Sequence, residues 1–418
     1  MGLGTKMLYY KGNKLGFEGV DVESLARKFG TPLFAYSKTK LISNYHSFDN
    51  AFRGVPHIVC YALKANSNYS ILKALCHEGA GVDITSGGEL YRSLKAGFKP
   101  EKVVYAGIGK TAEEIEYALK SKILMFNIES VEELEQINRT ALRLKTRARI
   151  AFRINPNVDP HTHRHISTGQ KKAKFGIPYD EVIATYIYAS KLKGVTVAGI
   201  HSHIGSQITE VGPFKLAAQR VHSVVNKLAS AGILLSFVDL GGGLGIQYGT
   251  EHAATPAELS HAVLPVFKDF KGTFIFEPGR YIVGNTAVLL VKVLYRKAAG
   301  GKNYIIIDGG MNDLIRPALY EAYHDIVPVL KTSREKVKAD VVGPICESSD
   351  FLGKDRMLSK PAQGEYLAVK CAGAYGYAMS SQYNSHVRAA EVMVEGKHCR
   401  LIRQRETFQD LVVKELLF

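Results

Sequence analysis

Eight short apolar runs, most of them followed by a stretch of helical periodicity, constrain this chain more than any other feature. The runs are His57 to Leu63, Gly81 to Thr85, Lys102 to Ala106, Ile123 to Ile128, Arg147 to Ile154, Thr196 to His201, Ser236 to Leu240 and Thr273 to Phe276. Between them, Gly87 to Ala96, Thr111 to Lys120, Ser130 to Lys145, Tyr179 to Lys193 and Pro213 to Ala231 carry apolar residues at helical spacing. Parallel strands need a crossover, usually a helix, and eight such units in roughly 250 residues suit a (β/α)8 TIM-type barrel. A doubly wound open sheet is the competing arrangement.

Past Arg280 the rhythm changes. Tyr281 to Leu294, Tyr304 to Ile307, Val337 to Gly343 and Glu365 to Cys371 read as strands without long helices between them, with breakers at Ala298 to Lys302 and Leu358 to Gly364. A chain of 418 residues is also long for one core. The expected fold is α/β: a barrel over residues 34–280 and a second, mainly β domain of sandwich or barrel-like form over 281–418. Residues 1–33, with a helix at Asp21 to Phe29 stopped by Gly30, are expected to join that β domain.

Lys and Arg number 54 against 39 Asp and Glu, a net charge of +15. The basic residues are scattered and form no nucleic-acid module, so an anionic small ligand fits better than nucleic acid. Cys60, Cys76, Cys346, Cys371 and Cys399 are odd in number and lack paired-ligand spacing, which argues against a disulfide framework or a zinc site and for a reducing compartment. The first twenty residues lack an apolar core and no stretch is long enough to span a bilayer. A cytoplasmic protein that does not engage membranes is the expectation.

The polar residues just past the apolar runs carry the chemistry. Lys64 ends the first run in YALKANSN; an amine there is either a solvated strand-end cation or a nucleophile toward a carbonyl. Gly241, Gly242, Gly243 and Gly245 follow the seventh run, and small loops late in a barrel commonly hold a phosphate, although glycine clusters also make ordinary turns. Together, an amine and a phosphate cradle suggest a phosphorylated aldehyde held as a Schiff base, which is the chemistry of pyridoxal 5'-phosphate. Glu277, at the end of the eighth run, is a candidate carboxylate for the pyridine nitrogen, or else a salt-bridge partner of Arg280.

Six motifs in order, YALKANSN, HSHIGSQ, GGGLGIQY, EPGR, GPICESSD and GAYGYAMSSQYN, span residues 61 to 384. In this set the chain resembles the bacterial diaminopimelate decarboxylases, pyridoxal phosphate enzymes with an alanine racemase-like barrel and a β domain. The resemblance implies decarboxylation of meso-2,6-diaminopimelate to L-lysine and carbon dioxide, the last step of lysine biosynthesis by that route. It implies that Lys64 forms the Schiff base, that His203 stacks on the ring, and that Ser206, Gly243 and the loop Glu277, Pro278, Gly279 and Arg280 hold the phosphate, closed by Tyr375. On the substrate side it implies Arg280, Arg316, Tyr320 and Tyr375 as binders, with Glu347 for the distal ammonium and Cys346 as general acid. Arg316 and Tyr320 also satisfy the spacing of a plain helix-surface pair, His203 that of a hydrogen-bonded structural histidine, and Tyr375 that of a tyrosine filling a domain junction.

The resemblance further implies a head-to-tail homodimer whose sites are shared, each receiving Cys346 and Glu347 from the partner, and a mobile loop over Asn155 to Gly176. Alternating His161, His163 and His165 in that loop have no strand pattern to hold a metal, and no metal ligand is assigned. Decarboxylases of the same fold acting on ornithine, arginine or a carboxylated polyamine are the nearest alternative, but a distal carboxylate pair has no use there. Alanine racemase lacks the CESSD segment, and a regulator that kept only the fold would not need both Lys64 and Cys346.

Overall fold

A computed structural model describes residues 7–159 and 174–416. The apolar runs of the first 280 residues all become strands, because each is buried along almost its whole length and bounded by a turn or a capped helix. In order they are β1 (His57–Ala62), β2 (Gly81–Ile84), β3 (Val103–Tyr105), β4 (Met125–Ile128), β5 (Ala148–Arg153), β6 (Val195–His201), β7 (Phe237–Asp239) and β8 (Thr273–Phe276). Sequence neighbours pair in parallel, and β8 closes on β1 through Phe274 opposite His57. The closed barrel removes the open-sheet alternative.

Inside, Cys60, Val104, Met125, Ala151, Ala198 and Ile275 form one buried apolar cluster, so the barrel is a filled core and not a channel. Between strands the helices start where a side chain can satisfy an unpaired amide. Ser86, Thr111 and Ser130 each accept from the amide three residues on, opening the helices Gly87–Ala96, Ala112–Lys120 and Val131–Arg143.

Two compact units result: Asn44–Ile246 with His252–Tyr281, which holds the barrel, and Met1–Ser43 with Gln247–Glu251 and Ile282–Phe418. The second unit is built on a mixed sheet. Its long strand Ala287–Ala299 pairs with Leu33–Ser37, with Tyr366–Lys370 and with Lys302–Ile307. Lys336–Val342 and Phe351–Ser359 extend it on one side, Ala390–Glu395 and His398–Arg403 on the other. All but Leu33 of the strand Leu33–Ser37 falls inside the span assigned to the barrel from sequence, yet the strand pairs in parallel with Ala390–Glu395 and is buried throughout. Its side chains are apolar or small on both faces, as a central strand requires. The strand expected from Tyr281 begins only at Ala287, because Arg280–Val283 and Gly284–Thr286 turn helically first. No helix among the described residues is long and apolar enough to cross a membrane.

Candidate active site

The carboxyl ends of the barrel strands place a set of polar side chains on one rim. Lys64 stands one turn past β1, in the short helix Leu63–Ala65. The turn after it is fixed by its own asparagines: Asn66 accepts from the Asn68 amide at 3.0 Å, and Asn68 accepts from Ser70, opening the helix Tyr69–His77. Lys64 Nζ lies 3.1 Å from Asp83 Oδ2 at the end of β2. Burial, reinforced by the charge of Glu277, pushes the Asp83 carboxyl up to about 7 against the opposing pull of Lys64.

Below this amine, one ligand-type atom from each of His201, Asp239 and Glu277 falls within 4.8 Å of the others. His201 Nε2 is 3.3 Å from Glu277 Oε2, and the Asn127 amide donates to Glu277 Oε1 at 3.0 Å and to Asp239 Oδ2 at 2.9 Å. All four side chains are buried. Burial opposes ionisation of Glu277, but His201, Lys64 and a hydrogen bond from Asp239 outweigh it and hold this carboxyl below the usual range. Asp239 moves the other way: burial and the adjacent Glu277 charge push it well up, which favours its protonated form. The two neighbouring carboxyls are thus pushed in opposite directions. The salt bridge between Glu277 and Arg280 weighed from sequence is not what forms; Arg280 Nη2 donates to Ser206 Oγ at 3.0 Å.

Three loops close together beside this cluster. Glu277 N donates to Gly241 O, Ile208 N to Gly243 O and Gly245 N to Ile208 O, at 2.7, 3.0 and 2.9 Å. At Gly242 an added Cβ would sit 2.1 Å from the Glu277 carbonyl oxygen, and at Gly243, with φ +112°, 2.5 Å from that of Gly205. Those glycines are required by the approach of one backbone to the next. Gly242→Ala is therefore expected to lower Tm by several degrees, a backbone clash of the kind that costs about one or more kcal/mol; thermal melts check it. His203 belongs to the same cradle. The Gly242 amide donates to its Nδ1 at 3.1 Å, so the ring is an acceptor there. Burial and the nearby Lys64 and Arg153 cations hold it well below its ordinary pKa, in the neutral form. Gly279 brings its loop against the β1 turn, where an added Cβ would meet Ala65 at 3.0 Å, and Pro278 O accepts from Ala62 N.

So the barrel unit gathers Lys64, His203, Ser206, Gly243, Glu277, Pro278, Gly279 and Arg280 on one rim. The remaining site residues expected from sequence lie in the β unit. Arg316 opens the five-residue helix Arg316–Tyr320, and it is buried, its guanidinium 4.6 Å from the centre of the Tyr248 ring. A surface pair with half-buried Tyr320 does not describe it. Cys346 and Glu347 share one exposed turn, where the Cys346 amide donates to Asn384 Oδ1 at 2.8 Å. Hydrogen bonds from Ser349 and Tyr383 hold the Glu347 carboxyl below its ordinary pKa. Tyr375 is half-buried with φ +56°, a conformation non-glycine residues adopt rarely and mostly where structure or function demands it. Residues 160–173, most of the expected mobile loop, lie outside the described residues.

Asp83, Asn127, His201 and Asp239 were not assigned roles from sequence. The signal was present: each is a buried polar residue directly after an apolar one near the carboxyl end of its strand.

Comparison with known proteins gives the family. Residues 38–284 match the family described as pyridoxal-dependent decarboxylase, pyridoxal binding domain. The diaminopimelate decarboxylase of Aquifex aeolicus is 48% identical over 98% of this chain and 97% of its own length, and that of Haemophilus influenzae 48% over 96% and 97%. A crystal structure of diaminopimelate decarboxylase from M. jannaschii in complex with L-lysine superposes with a TM-score of 0.95 at 39% identity, covering 99% of both chains. With nearly half of its residues shared along almost its full length, this chain belongs to the diaminopimelate decarboxylases, within the pyridoxal-dependent decarboxylases.

Proposed function

We propose that this chain removes carbon dioxide from the D-configured centre of meso-2,6-diaminopimelate and releases L-lysine, using pyridoxal 5'-phosphate. The observation that carries the reading is the pairing of an amine at the rim, Lys64, with a buried carboxylate held ionised, Glu277. The residues fit the cofactor group by group: an amine for its aldehyde, an anion for its pyridine nitrogen and a glycine-walled cradle with Ser206 and Arg280 for its phosphate. Bound there, the cofactor supplies the electron sink for the pair left on the α-carbon when the carboxylate departs. With the cofactor bound, Glu277 would hold the pyridine nitrogen protonated, and neutral His203 would offer a ring face without adding a positive charge.

Arg280, Arg316 and Tyr320 bind the carboxylate at the unreacted end of the substrate, where a guanidinium fork meets both oxygens. Glu347, ionised, takes the ammonium at that end, and Tyr375 contributes to both cofactor and substrate binding. The Cys346 thiol donates the proton to the α-carbon. Exposure of Cys346 and Glu347 in one turn suits delivery to a partner's site in a head-to-tail homodimer.

Subunit mixing tests both assignments. Cys346→Ala retains the cofactor absorbance and loses most turnover, and Lys64→Ala retains neither. A random equimolar mixture of the two restores up to about one quarter of wild-type activity, since half the dimers are hybrids with one intact site each. Verified hybrids without activity would remove the shared-site reading, and an undiminished Cys346→Ala would remove the proton donor.

A further inference from the structure

Arg316 is held from two directions inside the β unit. The Tyr248 ring lies against its guanidinium at 4.6 Å, and its Nη1 is 2.8 Å from His324 Nε2. His324 is fully buried, and its other nitrogen, Nδ1, is 2.8 Å from the Lys370 carbonyl oxygen. Tyr248 also meets His324 edge to face, ring centres 5.2 Å apart and planes at 78°. The three side chains therefore form one packed set.

Donor and acceptor chemistry leaves a single arrangement. A carbonyl oxygen only accepts, so Nδ1 carries the hydrogen; a guanidinium only donates, so Nε2 is the acceptor. His324 is the neutral Nδ1–H tautomer, and a proton on Nε2 would set two donors and two positive charges face to face. One imidazole lone pair then fixes the rotation of the guanidinium, and the Tyr248 ring fixes its plane. The chain makes this geometry possible by turning sharply after the helix: Glu321 adopts φ +52° and the Ala322 amide reaches back to the Arg316 carbonyl, which brings position 324 under the side chain of 316.

We infer that His324 is a positioning residue for substrate selection: a neutral imidazole acceptor that sets the plane in which Arg316 presents its N–H groups to the carboxylate at the unreacted end. The inference rests on the assignment of Arg316 given above. A fork oriented in advance loses less freedom when it meets a carboxylate, and a flat, bidentate partner rewards correct orientation.

The test separates a carboxylate-specific role from a structural one. L-lysine keeps the carboxylate of the unreacted end, and 1,5-diaminopentane differs from it only by lacking that group. His324→Phe, which keeps a ring and removes the acceptor, is expected to raise KM for meso-diaminopimelate about 10- to 100-fold, the scale of a lost hydrogen bond to a charged group, with kcat within about threefold of wild type. The inhibition constant of L-lysine rises by the same factor, that of 1,5-diaminopentane does not, and His324→Gln, with an oxygen acceptor, recovers most of the loss. Equal weakening of both inhibitors, or a fall in kcat at constant KM, would overturn the inference. If His324→Phe does not fold, the double variant Arg316→Met/His324→Phe leaves no orphaned donor. Its KM should match that of Arg316→Met alone, and a further rise would overturn the proposal. An unchanged KM in Arg316→Met would instead remove the assignment on which it stands.

Discussion

Lys64→Ala is expected to lower kcat/KM by at least about 10⁴-fold, because a tethered amine acts at an effective concentration on the order of 10⁵ M or more that no free amine reaches. The visible absorbance of the bound cofactor and the borohydride-trappable adduct at residue 64 should vanish with it. Asp83 decides whether this loss can be read as chemistry and not as unfolding. With its carboxyl already pushed up to about 7, Asp83 takes up a proton when its 3.1 Å partner is removed, so no unpaired buried charge remains. Tm should therefore change little. Lys64→Arg keeps the positive charge beside Asp83 without a usable nucleophile and should be as inactive as the alanine variant. Turnover within tenfold of wild type in either variant would show that the amine is not the covalent anchor.

Much of this architecture was readable before any coordinates, for a physical reason. A parallel barrel buries both faces of every strand, so its strands are short unbroken apolar runs, and residues such as His57 to Ala62 and Thr273 to Phe276 stand out. The β unit was less legible. Leu33–Ser37 has the same composition as a barrel strand, and only its partners, Ala287–Leu290 and Ala390–Val394, tell them apart; pairing across more than 250 residues leaves no local signature. Phe351–Ser359, with exposed Lys354 and Asp355 in its middle, and the exposed outer strand His398–Arg403 were not anticipated, because edge strands carry charge as a matter of course.

The site divided along the same line. Lys64, Glu277 and the glycine run sit just past strand ends, where a polar residue or glycine is a visible departure from the surrounding pattern. His201, Asp239 and Asn127 were hidden inside strands as single polar residues, and their meaning comes from register: His201 stands opposite Asp239, and Asn127 reaches across the barrel to both carboxyls. Arg316 shows the converse. Its spacing to Tyr320 fitted an exposed helical pair, yet the helix is only five residues long and its first side chain is buried against Tyr248.

The charge state of that hidden cluster yields the second large effect. Glu277→Gln keeps the shape and an oxygen for Asn127, and removes only the negative charge. An ion pair at about 4 Å contributes roughly 4 kcal/mol at an effective dielectric of 20, so kcat should fall by about 10³-fold while the protein still folds and still forms its adduct at Lys64. Asp239→Asn should behave oppositely. Because burial and Glu277 favour the protonated form of Asp239, an amide in its place should change little charge, and activity should stay within about tenfold of wild type on the scale of one altered hydrogen bond. The two variants together test the assignment by steady-state kinetics. If Asp239→Asn were the more damaging change, the ionised group would be Asp239 and not Glu277; Asn127, donating to both, serves either arrangement.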